Sequence, residues 1–137
     1  MMTFKQYILI FFALLLMVGC VQPVAPPPPP PPEIYLNEAP QFIFSPELDA
    51  YVAVGIPYDL VYAGGAYFYF YRGYWYRGPY YTGPWSLARG GGGRPVFFRY
   101  RIDQIRHYRD EEFRRYNHDR EHYRGRFHRP EYRGERR

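Results

Sequence analysis

YVAVGIPYDLVYAGGAYFYFYRGYWYRGPYYTGPW, residues 51–85, decides the fold of this 137-residue chain. Ten of its thirty-five residues are Tyr, and most of the others are Gly, Phe, Ala, Val or Pro. Aromatic and β-branched side chains suit a pleated surface, and glycine pairs at this spacing suit tight reversals, so the stretch reads as a β-meander. Gly64-Gly65 supplies the two positive-φ residues of a two-residue hairpin loop between strands at 60–63 and 66–69. Arg72-Gly73 does the same between 68–71 and 74–77, and Gly83-Pro84 marks a third reversal before 85–88. Two-residue loops set the register: Ala63 faces Ala66, Tyr62 faces Tyr67, Leu60 faces Tyr69, Tyr71 faces Tyr74, Phe70 faces Trp75 and Tyr69 faces Tyr76.

Alternation then sorts the side chains onto two faces. Leu60, Tyr62, Tyr67, Tyr69, Tyr71, Tyr74 and Tyr76 share one, and Val61, Ala63, Ala66, Phe68, Phe70 and Trp75 share the other, the natural core face. The tyrosine face has two uses. Tyr has an apolar body and a polar tip, so it covers a half-exposed sheet without any ligand. Alternatively, Tyr62, Tyr67, Tyr69, Tyr71, Tyr74 and Tyr76 form an aromatic platform for sugar rings, bases or peptide side chains; packing is the commoner use of such stripes.

The run Gly73-Tyr74-Trp75-Tyr76-Arg77, followed by Gly83-Pro84-Trp85, resembles the G-x-W-Y-R…G-P-W core of a family of small, uncharacterised, Tyr-rich proteins of the Gram-negative envelope, secreted or lipid-anchored. The likeness extends loosely from about residue 51 to about residue 125 and implies no catalytic residue.

The first twenty residues bear on location. Lys5 precedes an apolar run at 7–18 that suits the h-region of a signal peptide and is shorter than the ~20 residues needed to span a bilayer. Met17-Val18-Gly19-Cys20 resembles a bacterial lipobox, which implies diacylation of the Cys20 thiol and cleavage before it. Two or three acyl chains anchor a protein stably. Val21, where Asp would favour the inner membrane, implies sorting to the outer membrane. A signal peptide cut elsewhere and a retained signal anchor are the other readings of this leader. Cys20 is the sole cysteine, so no internal disulfide and no Cys-based metal or redox site is expected.

Pro23 and the seven prolines at 26–32 suit a polyproline II spacer; seven residues at ~3.1 Å each reach about 22 Å. Their alternative use is as a Pro-rich recognition peptide. Between 33 and 57, Pro40, Pro46 and Pro57 break the chain into pieces of which 41–44 and 50–55 are candidate edge strands. Glu33, Glu38, Glu47 and Asp49 here either solvate a loop or face the basic tail; exposed charge pairs contribute little, which favours the loop.

Residues 89–95, with four consecutive glycines, read as a hinge. Beyond it, residues 94–137 hold fourteen Arg against eight Asp or Glu, a net charge of +6. Helical spacing of Ile102, Ile105, Tyr108 or Arg109, Glu112 or Phe113, and Tyr116 predicts a helix over 102–123, supported by Asp110–Arg114 and Glu111–Arg115 pairs and ended by Gly125. Its narrow apolar stripe predicts light docking, and disorder is expected after Gly125. Arg106, Arg109, Arg114, Arg115, Arg120 and Arg124, interleaved with aromatic residues, are candidate polyanion contacts. Lipopolysaccharide phosphates, anionic lipid headgroups, cell-wall polymers or an envelope protein are the candidate partners, and nucleic acid fits the compartment poorly. The competing picture is a solvated arm whose charges compensate one another locally.

His118 and His122 fit H-x-x-E-H and on a helix would lie on one face within reach of zinc. A third ligand is not evident, and Arg114, Arg115, Arg120 and Arg124 oppose a divalent cation, so neither a metal nor another cofactor is expected. The expected architecture is a small, mainly-β meander of Tyr-rich hairpins followed by a basic α-helical arm, with a Pro-rich spacer and a disordered C-terminus. Its parts are a lipoprotein signal peptide at 1–19, lipidated Cys20 and spacer at 20–33, meander at 34–88, hinge at 89–95, arm at 96–124 and tail at 125–137. The expected role is a periplasm-facing outer-membrane lipoprotein with a structural or interaction function and no enzymatic one. A binding module for anionic glycolipid or cell-wall glycan is the alternative.

Overall fold

The computed structural model describes residues 24–131, apart from 29, 32 and 90–92. The leader, Cys20, Val21, Pro23 and residues 132–137 lie outside the described residues. Strands β1 (Gln41–Ser45), β2 (Ala50–Val54), β3 (Leu60–Ala63), β4 (Ala66–Tyr71), β5 (Tyr74–Gly78) and β6 (Ser86–Leu87) form an antiparallel meander. A 3-10 turn (Val96–Arg99), helix α1 (Ile102–His118) and strand β7 (Phe127–His128) follow. β7 pairs with β1, giving the sheet order β6-β5-β4-β3-β2-β1-β7.

Both tight hairpins form because their loop residues adopt the left-handed conformation that type I′ turns demand. Gly64 and Gly65 have φ of 56° and 76°, and Arg72 and Gly73 have φ of 47° and 85°. The register is the one those loops dictate, from Leu60 opposite Tyr69 to Ala63 opposite Ala66, and from Tyr69 opposite Tyr76 to Tyr71 opposite Tyr74. At the third reversal the Gly83-Pro84 peptide is cis and returns the chain as β6 against β5. There Trp85 lies on Gly78: a Cβ at Gly78 would stand 2.8 Å from the Pro84 carbonyl oxygen and 3.0 Å from the Trp85 ring. Trp75 and Trp85 thus serve opposite faces, the first against Phe97 and Phe98 and the second against Tyr69.

Four expectations about the elements need correction. Residues 41–44 and 50–55 are not edge strands, since β2 runs between β1 and β3 and β1 is covered by β7. The helix stops at His118 rather than 123, because Asp119 turns the chain: its carboxylate accepts the His122 N–H at 3.2 Å and meets His122 Nδ1 at 2.9 Å. Gly125 ends no helix; it sits under Tyr123, where a Cβ would come within 2.0 Å of the ring. The segment after Gly125 returns to the sheet instead of leaving it, with Phe44 N–H donating to the Arg126 carbonyl at 3.0 Å and Phe42 paired with His128.

Both sheet faces are packed. On one, Leu48, Val52, Val61 and Phe68 meet Phe97 and Ile105, with Trp75, Phe98 and Tyr108 at the margin. Phe97 is fully buried, 5.2 Å from the Phe68 ring and 5.1 Å from Trp75. On the tyrosine face, Ile34, Phe42, Leu60, Tyr67, Tyr69 and Tyr81 form a second cluster, joined by Leu36, Tyr62, Tyr71 and Trp85. The arm rests on the sheet more firmly than its narrow stripe suggests. α1 crosses β1 and β2, and Asp59, just before β3, accepts hydrogen bonds from Arg106 at 2.6 Å and Arg109 at 3.1 Å. The expected Asp110–Arg114 and Glu111–Arg115 pairs give way to Arg109–Asp110, His107–Glu111 and Arg115–Glu112.

Phe97→Ala should cost about 3–5 kcal/mol, since it deletes an aromatic ring from a fully packed site. Urea unfolding followed by aromatic circular dichroism measures it. Asp59→Asn should cost about 1–3 kcal/mol, because it leaves the half-buried Arg109 with only the exposed Asp110 as counter-charge while the Arg106 share is screened. The loss should disappear in an Asp59→Asn variant that also carries Arg106→Gln and Arg109→Gln, as read from the urea midpoint.

Candidate functional site

The residues that come closest to forming a site surround His128. β7 and β4 are separated by β1, β2 and β3, so in a flat sheet they would stand ~19 Å apart at ~4.8 Å per strand. Yet the Tyr67 hydroxyl on β4 lies 2.8 Å from His128 Nε2 on β7. The sheet therefore curls around its tyrosine face. Inside the curl the His128 ring stacks on Tyr62, with centroids 3.8 Å apart and planes within 3°, and Phe42, Tyr51 and Tyr67 stand around it within 6 Å.

Burial governs the ionisation of this group. It pushes the Tyr67 phenol up to about 12, with the neighbouring Tyr62 and Tyr81 adding to the shift, so the hydroxyl keeps its proton at neutral pH. Burial also holds His128 below the ordinary imidazole range, favouring the neutral ring. A neutral ring with its proton on Nδ1 accepts at Nε2 from the Tyr67 O–H, and one with its proton on Nε2 donates to the Tyr67 oxygen. Beside this pair opens a groove of about 370 Å³, walled by Tyr62, Tyr67, Tyr80 and Tyr81 on one side and by residues 128–131 on the other. Arg129 and Glu131 bring both signs of charge to its rim. Aromatic faces flanked by hydrogen-bonding groups suit a sugar ring chemically.

The anticipated tyrosine platform is thus only partly available. Tyr67, Tyr69 and Tyr76 are buried, Tyr62 and Tyr71 are half-buried, and Tyr74 is exposed. Burial raises Tyr69 and Tyr76 above the ordinary phenol value, with nearby tyrosines contributing. Of the six, Tyr62 and Tyr67 line the groove; Tyr80, Tyr81 and His128 complete it. From sequence, Tyr80 and Tyr81 have no assigned role and disorder is expected at His128. A two-residue strand has no periodicity by which to find it.

The arginines anticipated for polyanions divide in use. Arg106 and Arg109 are committed to Asp59, and the hydrogen bonding that Arg106 donates to Asp59 is the main reason Arg106 is held above its ordinary value. Arg115 bonds the buried Glu112 at 2.6 Å, and the other Glu112 oxygen accepts the Tyr123 hydroxyl at 3.1 Å. Burial, then the Glu112 bond, pushes Tyr123 up to about 12. Arg120 bonds Asn117 and lies over the Tyr116 ring, while Arg114 and Arg124 are exposed. Among the acids at 33–57, Glu33 accepts from Tyr35 and Glu47 from Ser45, both local contacts; Asp59 is the acid that meets the arm.

His118 closes α1 and His122 lies in the turn beyond it, so the pair does not share a helical face. Among the described residues no group of three or more His, Cys, Asp or Glu is placed to hold a metal ion, and no helix is long and apolar enough to cross a membrane. Neither a protein-family model, a curated protein nor a solved structure matches this chain.

His128 should make the fold acid-sensitive. Its folded-state value is depressed, so the unfolded chain binds the proton more readily; its contribution is complete above the unfolded value of about 6.5 and is lost as pH falls through the folded one. Between pH 7.5 and 5.5 the urea midpoint should fall further for the native chain than for His128→Gln.

Proposed function

We propose that this chain is a lipid-anchored, periplasm-facing protein of the Gram-negative outer membrane whose domain serves a structural or interaction role rather than catalysis. One observation carries this: the apolar run at 7–18 ends on Gly19-Cys20, and a proline run leads from there straight into the folded domain. Ile34, two residues beyond that run, is already buried under the tyrosine face. A stiff spacer with no slack at its domain end would hold the sheet about 20 Å above an acylated Cys20, at ~3.1 Å per residue. The likeness of the Tyr-rich core to Gram-negative envelope proteins supports the same compartment.

A second reading is a binding module for cell-wall glycan or anionic glycolipid. The groove beside His128 favours it, since the exposed Tyr80 and the half-buried Tyr62 line it and Arg129 and Glu131 offer hydrogen bonds. The aromatic face would then act through this groove and not across its whole width.

Expression in a Gram-negative host tests the anchor. The native chain should pellet with the outer membrane and carry two or three acyl chains on its mature terminus by intact-mass spectrometry. Cys20→Ser should lose the acyl mass. A soluble native protein with an unmodified Cys20 thiol would overturn the assignment.

A further inference from the structure

Strand alternation makes one position on the helix-side face anomalous. Val61, Ala63, Ala66, Phe68 and Trp75 there are apolar, yet the direct cross-strand neighbour of Phe68 on β5 is Arg77. A charge on the apolar side of an internal strand breaks the local rule, and such breaks concentrate at functional positions. The 3-10 turn and α1 cover the rest of this face but stop short of Arg77, which is exposed.

Two more arginines converge on the same place from other segments. Arg89 follows β6 and Arg94 precedes the 3-10 turn, and with Arg77 they line one groove of about 450 Å³. Its apolar wall includes Ala66, Phe68 and Phe98. Among the described residues no Asp or Glu lines it and none of the three arginines has an ion pair. The contrast with the arm is informative. Arg106, Arg109 and Arg115 each have a carboxylate, whereas among the described residues Arg114 and Arg124 share with Arg77, Arg89 and Arg94 the lack of one but line no common groove.

Three guanidiniums around one volume repel one another, and an anion between them removes that repulsion. One carboxylate offers a single fork and a single charge, which would leave two cations unbalanced. A phosphate or pyrophosphate offers several oxygens and more than one charge, matching three arginines brought to one groove by separate segments. We propose that this groove is a phosphate-binding site in which Arg77, Arg89 and Arg94 hold the oxyanion while the body attached to it rests against Phe68 and Phe98. The exposed end arginines of the arm, Arg114 and Arg124, are not part of it. The site does not depend on an acylated Cys20, so failure of the anchor leaves it standing.

The test uses the full chain in non-ionic detergent micelles, titrated calorimetrically with sodium pyrophosphate, with and without phosphatidylglycerol doped into the micelles. Arg77→Gln, Arg89→Gln and Arg94→Gln should each weaken binding about tenfold or more, as expected for loss of a charge-assisted contact. Arg94→Lys should recover only part, because it restores the charge without the fork. Arg114→Gln with Arg124→Gln should change affinity less than twofold, and aromatic circular dichroism should match the native chain throughout. Pyrophosphate binding unaffected by phosphatidylglycerol assigns a soluble phosphate. Stabilisation of the native chain by phosphatidylglycerol, absent from the Arg77→Gln variant and absent with phosphatidylcholine, assigns a lipid headgroup. Equal losses in the groove and arm variants, or no response to either probe, would overturn the proposal.

Discussion

A lone sheet of short strands with apolar side chains on both faces has nowhere to hide either of them, and the rest of this chain answers that constraint. Layered packing is the general solution, and a two-hairpin ribbon cannot provide it alone. Here the sequence after the meander covers one face with Phe97 and Ile105, and the sequence before it covers the other with Ile34 and Leu36. With one cysteine in the chain, no internal disulfide substitutes for this coverage. Asp59 is the electrostatic tie between the layers, held on the sheet side and bonded by two arginines of α1. Its side chain is only 16% exposed, so it depends on those partners more than an open surface acid would.

What could be read in the chain beforehand followed from local chemistry. Gly64-Gly65 and Arg72-Gly73 specify turns through their own φ angles, and a two-residue turn leaves the flanking strands one register. The start of α1 was equally legible at Ile102, because helical spacing and Gln104, which accepts the Arg101 N–H at 3.0 Å, are local signals. What escaped depended on partners far along the chain. Asp59 meets residues 47 and 50 positions away, and nothing in its Pro57-Tyr58-Asp59 setting marks it out. Ile34 and Leu36 sit in a proline-broken stretch with no period, so their role as a lid over the tyrosines was invisible. The helix end was missed because Asp119 looks like one more arm acid until its carboxylate is seen to hold His122.

The candidate site was legible to a similar extent. Six tyrosines were rightly placed on one face, but whether they were open depended on the curl of the sheet and on His128 reaching across it. The G-x-W-Y-R…G-P-W core acquires a physical sense from the same geometry. Its two tryptophans pack on opposite faces, and Gly78 is the small residue that lets Trp85 close over β5. Tyr is well suited to this crowded interior because each ring adds apolar area while its hydroxyl finds a polar neighbour, as Tyr67 does at His128 and Tyr123 at Glu112.

The pairing of β1 with β7 has a bearing on how the molecule is made. β1 is the first of the described strands in chain order and β7 the last, so the outer edge of β1 at Phe42–Phe44 stays open until Arg126–His128 has been made. Contacts this distant in sequence form late, because a long loop must close before they are rewarded. Until then every nascent copy offers its neighbours a template, and the short β7 is what closes it.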